Sequence, residues 1–366
     1  MKPIAIIGID GIPNRHGGFE RLAEQLSMAL VRSGYQVTVY NVADHPYRGN
    51  QWNGVHVIRR WSPSRWLGAA APFIFDLLCI LHARSKHEAI IQLGYTTSAI
   101  YQWLIPKKVK LITNMDGLEW SRRKYPQIIR WYLRKAENLA AHGADLLVAD
   151  HPVIAEHLLN EYGQKSTFIP YGADMPCEPD PAVLQKFGLN AGNYIVLVAR
   201  LQPDNHIREI IEGHKASRSG MPLVVVGPYQ HRYGRELYRK YAGAELIFTG
   251  GVYEKAILDA LRHFSLAQMH GHSAGGTNPS LLEAMAAGAP ICAHDNPFNR
   301  YILGDHAWYF NGSEDLAVIF DYIPNFQRRS EWAKEYRQRL TSEFTWSSVT
   351  EGYISLIADS LGQAKA

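Results

Sequence analysis

Short runs of β-branched and apolar residues alternate along the chain with longer stretches whose apolar positions recur every three or four residues. An unbroken apolar run of four to six residues marks a strand buried on both faces, and the wider spacing marks an amphipathic helix. Strands are expected at 4–8, 36–41, 55–59, 89–93, 110–114, 145–149 and 166–169, with helices at 18–34 and 126–142. Residues 171–181 turn rich in Gly, Pro and Asp and read as a linker. The alternation then restarts, with strands at 194–199, 223–227, 246–249, 266–270 and 290–293 and helices at 206–217, 253–262 and 279–287.

Repeated strand–helix alternation implies parallel sheets covered by helices on both faces. Its appearance on either side of a break implies two doubly wound α/β domains. Ligands of such sheets bind beyond the C-terminal strand ends, and a cleft between two facing domains is the default site.

Composition agrees with this organisation. The chain has 366 residues, of which 46% are hydrophobic and 20% charged. That is room for two globular domains of about 150–200 residues each, and it excludes a disordered chain. Cys79, Cys177 and Cys292 lie far apart and form no CxxC, so reduced thiols in a cytoplasmic protein are expected, not a disulfide framework or a zinc site. The N-terminal apolar run is too short for a signal peptide, and the most apolar stretch, 66–81, is interrupted by Pro72 and Asp76, so no membrane span is expected. Residues 1–170 hold 20 Lys/Arg against 13 Asp/Glu, whereas the remainder holds 18 against 21. The basic half suits an anionic surface or substrate, and equally suits ordinary solvated charge. No nucleic-acid partner is expected, and the oligomeric state is left open.

Two segments carry candidate chemistry. The first strand runs into a loop with adjacent Gly17 and Gly18 at the start of a helix, where backbone N–H groups can approach an anionic ligand; a glycine turn needed only for packing is the alternative. The loop has no GxGxxG, and the second strand ends in Val39-Tyr40-Asn41 with no acid, which argues against a dinucleotide site. The second segment spans 269–288. Asn278 or Thr277 suits the N-cap of its helix, Pro279 the first helical position and Gly288 the C-terminal end. Free N–H groups over 278–281, those of Ser280 and Leu281 among them, are expected to form an anion site. Glu283, one turn on, can accept hydrogen bonds from two neighbouring hydroxyls, as on a ribose.

This second segment resembles the signature of retaining GT-B glycosyltransferases of family 4, a Glu, seven residues, then Glu-Ala-Met. Glu283-Ala284-Met285 matches the second half, whereas Gly275 stands where the first Glu belongs. In the family that first Glu touches the donor sugar, so the sugar's identity does not carry over. HGGFE at 16–20, NMDGLEW at 114–120 and GGTNPSLLEAM at 275–285 together resemble bacterial surface-polysaccharide rhamnosyltransferases of this family, over nearly the whole chain.

The resemblance implies an α/β GT-B architecture of two doubly wound Rossmann-like domains facing across a cleft. Residues 1–172 form the acceptor-side domain, joined by a helix over 345–366 that crosses back to it, and 173–344 bind the nucleotide sugar. The donor is expected to be dTDP-rhamnose, with UDP- or GDP-sugars as alternatives, and the acceptor a lipid-diphosphate-linked saccharide. Val198-Ala199-Arg200-Leu201 is similar to the family's Gly-Arg-Leu turn, whose Arg binds the donor phosphate, and a guanidinium suits that task. The family's Lys five residues on is replaced by Asn205, leaving one cation missing unless His206, Arg208 or a residue of the first domain compensates. Gly227 and Tyr253 stand where the family holds the base and the diphosphate, and His270, Gly276 and Thr277 line the donor loop.

On the acceptor side Asp116 occupies a position often held by His. It serves there to hold an acceptor hydroxyl or as a general base, or forms a plain Asx turn beside Gly117. Glu119 lies close by in sequence. Asp150 and His151 line the acceptor side or cap the helix that begins at Pro152. Retention at the anomeric carbon is implied, with Arg200 and the helix N-terminus stabilising the leaving diphosphate. The chain has no Asp-x-Asp, so neither metal nor cofactor is expected. Arg59-Arg60-Trp61, Arg65-Trp66 and the basic, Trp-bearing stretch 122–135 suit the headgroups of an anionic membrane, the alternative being a core helix over 67–81 with ordinary surface cations. A nucleotide-sugar epimerase and an inactive sugar-nucleotide-binding protein are the competing functions.

Overall fold

The computed structural model describes residues 2–15, 17–122, 124–176 and 178–362, with only the backbone of Arg65. His16, Arg123, Cys177 and the Arg65 side chain, all noted above, lie outside the described residues. The chain divides into two compact units. One comprises Met1–Ser121, Pro126–Gly172 and Trp346–Ala366; the other comprises Arg122–Tyr125 and Ala173–Thr345.

In the first unit the elements run β1 Pro3–Ile7, α1 Gly18–Arg32, β2 Gln36–Val42, β3 Gln51–Trp52, β4 Val55–Arg60, α2 Ser64–Leu67, α3 Ala71–Ala83, β5 Ala89–Leu93, β6 Lys110–Asn114, α4 Gln127–Gly143, β7 Leu146–Ala149, α5 Pro152–Tyr162 and β8 Thr167–Phe168. The sheet order is β3-β4-β2-β1-β5-β6-β7-β8. All pairings are parallel except β3 with β4, a hairpin turned by Asn53 and Gly54, both at positive φ. That Asn-Gly turn is the expected chemistry for a two-residue hairpin. Strand β1 is buried on both faces: Ile4 and Ile6 pack with α1, whereas Ala5 and Ile7 pack against Phe75, Cys79 and Ile80 of α3.

In the second unit the elements run β9 Ile195–Val198, α6 Ile207–Ala216, β10 Leu223–Val226, α7 Arg232–Tyr241, β11 Leu246–Gly250, α8 Lys255–His263, β12 Ala267–His270, α9 Pro279–Ala287, β13 Ile291–His294, α10 Pro297–Leu303, β14 Trp308–Phe310, α11 Ser313–Tyr322 and α12 Arg329–Glu343. The sheet is wholly parallel, in the order β11-β10-β9-β12-β13-β14. Helix α13, Trp346–Ser360, belongs to the first unit, where Val349, Tyr353 and Ile357 enter the same core as Ile4 and Ile6.

Two expectations change in detail. The stretch 67–81 is neither wholly core nor wholly surface: α3 turns Phe75, Cys79 and Ile80 inward, while Trp66 and Leu67 before it stay exposed. The helix α7 escapes the sequence pattern because only Gly234, Leu237 and Tyr241 are buried on it. Gly234 looks like a helix breaker, yet a Cβ there would sit 2.6 Å from the Tyr229 Cα, so close approach requires glycine.

Candidate functional site

In the second unit β9, β12 and β13 are neighbours, so the loops at their C-terminal ends meet. The loop after β9 carries Arg200, which is exposed. Its carbonyl accepts from the buried Asn205 side chain at 2.7 Å, so Asn205 closes this loop upon itself. The next loop, after β12, is tied to it: His206 Nδ1 lies 2.8 Å from the Gly271 carbonyl, and Ser273 Oγ donates to the Asp204 carbonyl at 3.1 Å. A Cβ on Gly271 would fall 2.0 Å from the Asn205 carbonyl oxygen, and one on Gly227 would fall 2.1 Å from that of Ala199. Both glycines are therefore fixed by backbone approach at the strand ends. Arg208, a candidate for the missing cation, is paired with Glu236 at 2.6 Å. His206 stacks on His294 with centroids 4.1 Å apart. Tyr253 stands exposed before α8.

The loop 270–278 holds a second histidine stack, His270 on His272 at 4.4 Å. Burial drives both imidazoles far below their ordinary pKa, His272 to about 3, so both are neutral near pH 7. His270 Nε2 and His272 Nδ1 are buried without a hydrogen-bond partner. Asn296 and Asn299 hold the His272 carbonyl at 3.1 and 3.0 Å. Gly276 and Thr277 are buried, whereas around Gly275, at φ 137°, a Cβ would meet open space.

Asn278 caps α9, its Oδ1 accepting from the Ser280 N–H at 2.9 Å, and Gly288 ends the helix in the left-handed conformation. The cap changes the expected anion site. Ser280 N–H is spent on Asn278 Oδ1, Leu281 and Leu282 N–H bond the Asn278 carbonyl, and Pro279 has no N–H. The helix dipole remains, but the N–H groups of Ser280, Leu281 and Leu282 are all engaged at the helix start. Glu283 projects from α9 with its side chain 43% exposed. Its Oε2 accepts from Nη1 of the buried Arg262 at 2.7 Å, and Nη2 of the same guanidinium donates to Ser280 Oγ at 3.1 Å. Arg262 was not visible as a site residue: it lies in a helix whose apolar spacing gives no reason to single it out.

In the first unit the glycine loop is braced by side chains. Asn41, at the end of β2, grips the Ile12 peptide from both sides, at 3.0 Å to its N–H and 2.7 Å to its carbonyl. Glu20 and Glu24 accept from the N–H groups of Asp10 and Asn14. Gly17, at φ 157°, precedes Gly18, the first residue of α1, and a Cβ on it would strike the Glu20 carboxylate.

Asp116 and Asp150 follow β6 and β7, which are adjacent strands. Their charges join burial in raising the pKa of Tyr353, whose hydroxyl accepts from Asn114 at 2.7 Å. The two carboxylates thus share one neighbourhood with a residue of α13. His151 is the cap of α5, its Nδ1 accepting from the Val153 N–H at 3.2 Å. Glu119, in the turn Glu119–Ser121, is partly buried.

Glu137 organises this side and escaped the sequence reading. Buried in α4, it accepts from Trp120 Nε1 at 3.0 Å, Tyr162 at 2.7 Å and Tyr95 at 3.3 Å, with His157 Nε2 at 3.0 Å. The same Tyr95 hydroxyl lies 3.2 Å from the Gly117 carbonyl and shares its single proton between the two acceptors, so Glu137 and Tyr95 together brace both ends of the Gly117–Trp120 loop beside Asp116. The signal was present: Glu137 falls on the stripe of Leu133, Ala136, Ala140 and Ala141, where a lone acid needs buried partners. Asp76 is a second buried carboxyl, bonded to Thr97 and raised to about 7 by burial, with Asp10 adding to the shift. Among the described residues no group of three or more His, Cys, Asp or Glu could hold a metal.

Residues 182–341 match the family model Glycosyl transferases group 1, and residues 1–174 match a domain of unknown function, DUF1972. No curated protein matches the chain in sequence. Among solved structures the chain is similar to sucrose-phosphate synthase from Thermosynechococcus elongatus, with TM-score 0.76 and 18% identity over 99% of this chain and 100% of that one. It is also similar to Anabaena HepE in complex with UDP-glucose, with TM-score 0.74 and 16% identity over 99% and 100%. A third is α,α-trehalose 6-phosphate synthase from Burkholderia multivorans, with TM-score 0.70 and 11% identity over 99% of both. The fold is GT-B, and the match to the group 1 glycosyl transferase model falls within the second unit.

Proposed function

We propose that the chain is a retaining hexosyltransferase that moves L-rhamnose from dTDP-rhamnose onto a lipid-diphosphate-linked saccharide in bacterial surface-polysaccharide synthesis. The observation that carries the reading is the second unit's donor segment, where a capped helix presents Glu283 one turn beyond a glycine loop, while the exposed Arg200 follows β9, the strand next to β12. A related fold holding UDP-glucose supports a nucleotide sugar as donor. The match to rhamnosyltransferase motifs favours thymidine over uridine. Gly275, in place of an acid, leaves the sugar to be met by neutral hydrogen-bonding groups, for which His270 and His272 offer unpaired nitrogens.

In the proposed reaction the bond from the anomeric carbon to the diphosphate oxygen breaks. The acceptor oxygen bonds to that carbon on the same face, and its proton passes to the leaving phosphate. Arg200 and the α9 dipole stabilise the charge that develops on the diphosphate. Asp116, held beside the Glu137 network, orients the acceptor hydroxyl. No metal is needed in this scheme. We place the protein at the cytoplasmic face of an anionic membrane. Trp61, Trp66, Trp103, Ile128 and Trp131 are exposed in the first unit, and the Phe73–Tyr132 ring contact at 5.7 Å brings α3 beside α4. No helix among the described residues is long and apolar enough to cross a membrane.

Incubation of radiolabelled dTDP-rhamnose with membrane-extracted lipid-linked saccharides tests the function. Label moving into the lipid fraction with the anomeric configuration kept is the expected result. Isomerised donor without transfer would point to an epimerase instead, and transfer only from UDP- or GDP-sugars would replace the donor.

A further inference from the structure

The reading of α9 as the donor helix leaves open how Glu283 meets the nucleotide's pentose, and the proposal that follows rests on that reading. A carboxylate that grips both hydroxyls of a ribose offers one oxygen to each. In this chain one oxygen is already engaged. Oε2 of Glu283 accepts from Arg262 Nη1 at 2.7 Å, and Nη2 holds Ser280 Oγ at 3.1 Å, so the fork bridges two residues three apart on one face of α9. Arg262 is 2% exposed. Drawing Oε2 away to a second hydroxyl would leave a buried cation unpaired, which is strongly unfavourable. Oε1 has no hydrogen-bond partner among the described residues, on a side chain that is 43% exposed.

We propose that Arg262 is a positioning residue that restricts Glu283 to a single pentose hydroxyl, so that the site accepts a 2′-deoxynucleoside diphosphate as readily as its ribose counterpart. A deoxyribose presents its 3′-hydroxyl to Oε1 and asks for nothing more. A ribose brings a 2′-hydroxyl whose remaining acceptor is Oε2, an oxygen whose charge is already paired with the buried guanidinium, so the second bond adds little.

The test is calorimetric titration of the full chain with two matched pairs, dTDP with ribothymidine 5′-diphosphate and dUDP with UDP. Wild type is expected to bind the deoxy and ribo forms of each base within about threefold of one another. In Arg262→Met the freed carboxylate reaches both hydroxyls, and the ribo form is expected to gain roughly tenfold over the deoxy form, about the worth of one added hydrogen bond to a charged group. Arg262→Lys, which keeps the cation, restores the wild-type ratio. A wild-type preference for the ribo forms of tenfold or more overturns the proposal, and so does a ratio unchanged in an Arg262→Met protein that still binds nucleotide. The wild-type ratio decides even if the Met variant does not fold. Absence of binding by all four nucleotides overturns the donor-site reading itself and this proposal with it.

Discussion

Three buried ionisable residues take their roles from partners that the fold brings to them. Glu137 gathers Tyr95, Trp120, His157 and Tyr162 on one carboxylate, and Arg262 ties Ser280 to Glu283. The third, Asp76, carries a pH-dependent contribution to stability. Its folded pKa is raised from 3.8 to about 7, chiefly by burial. The folded state therefore holds a proton that the unfolded chain releases. The stability due to this group is complete below about pH 4 and falls as pH rises, levelling off above about pH 7. Asp76→Asn is expected to remove that slope. Urea denaturation at pH 5 and pH 8 checks it: the variant should gain on wild type from pH 5 to pH 8, and an identical pH dependence of the two would contradict the assignment. In the sequence Asp76 is only an interruption of an apolar run, because desolvation depends on neighbours brought in by the fold.

Among elements, α9 was the most legible. Its Pro279 start and Gly288 end follow from residue type alone, and its cap was narrowed to two residues, of which Asn278 makes the bond. What local signals did not reveal is that the same cap consumes the first-turn amides, since an N-cap and an anion site compete for the same N–H groups. Replacing Asn278 with Ala is expected to cost about 1 kcal/mol of stability, measured by denaturant unfolding. The same change releases the Ser280 N–H, so nucleoside-diphosphate affinity should fall less than stability suggests, or rise. The hairpin at Asn53-Gly54 was equally available from its turn residues, but the strand Gln51–Trp52 is too short to stand out by periodicity. The helices over 297–343 carry little periodic signal for a related reason: in α12 only Trp332, Tyr336 and Leu340 are buried, so no broad apolar stripe marks it.

At the scale of the whole molecule, alternating runs of apolar residues were enough to foresee two doubly wound sheets, because a strand buried on both faces leaves no other pattern. Long-range closure is not legible in the apolar pattern, and only the family resemblance implies that the last helix returns to the first domain. Helix α13 enters the first unit's core through Val349, Tyr353 and Ile357, and Tyr353 meets Asn114 from 239 positions away. The proposed membrane attachment also belongs to this scale, since it needs exposed tryptophans from several elements to act together. The full chain is expected to float with vesicles containing anionic lipid and to be released by raised salt. Replacing Trp66, Trp103 and Trp131 together with Ser should weaken flotation at least tenfold. Flotation unchanged in that triple variant, or absent from the start, contradicts the attachment.

The central claim, that the second unit binds a nucleotide-diphosphate sugar at the ends of β9 and β12 and along α9, is tested most directly by titrating dTDP-rhamnose into the wild-type chain and into Arg200→Ala and Glu283→Ala. The account predicts saturable binding that weakens at least tenfold in each variant while the folded state persists. Binding of equal strength in all three proteins would contradict it.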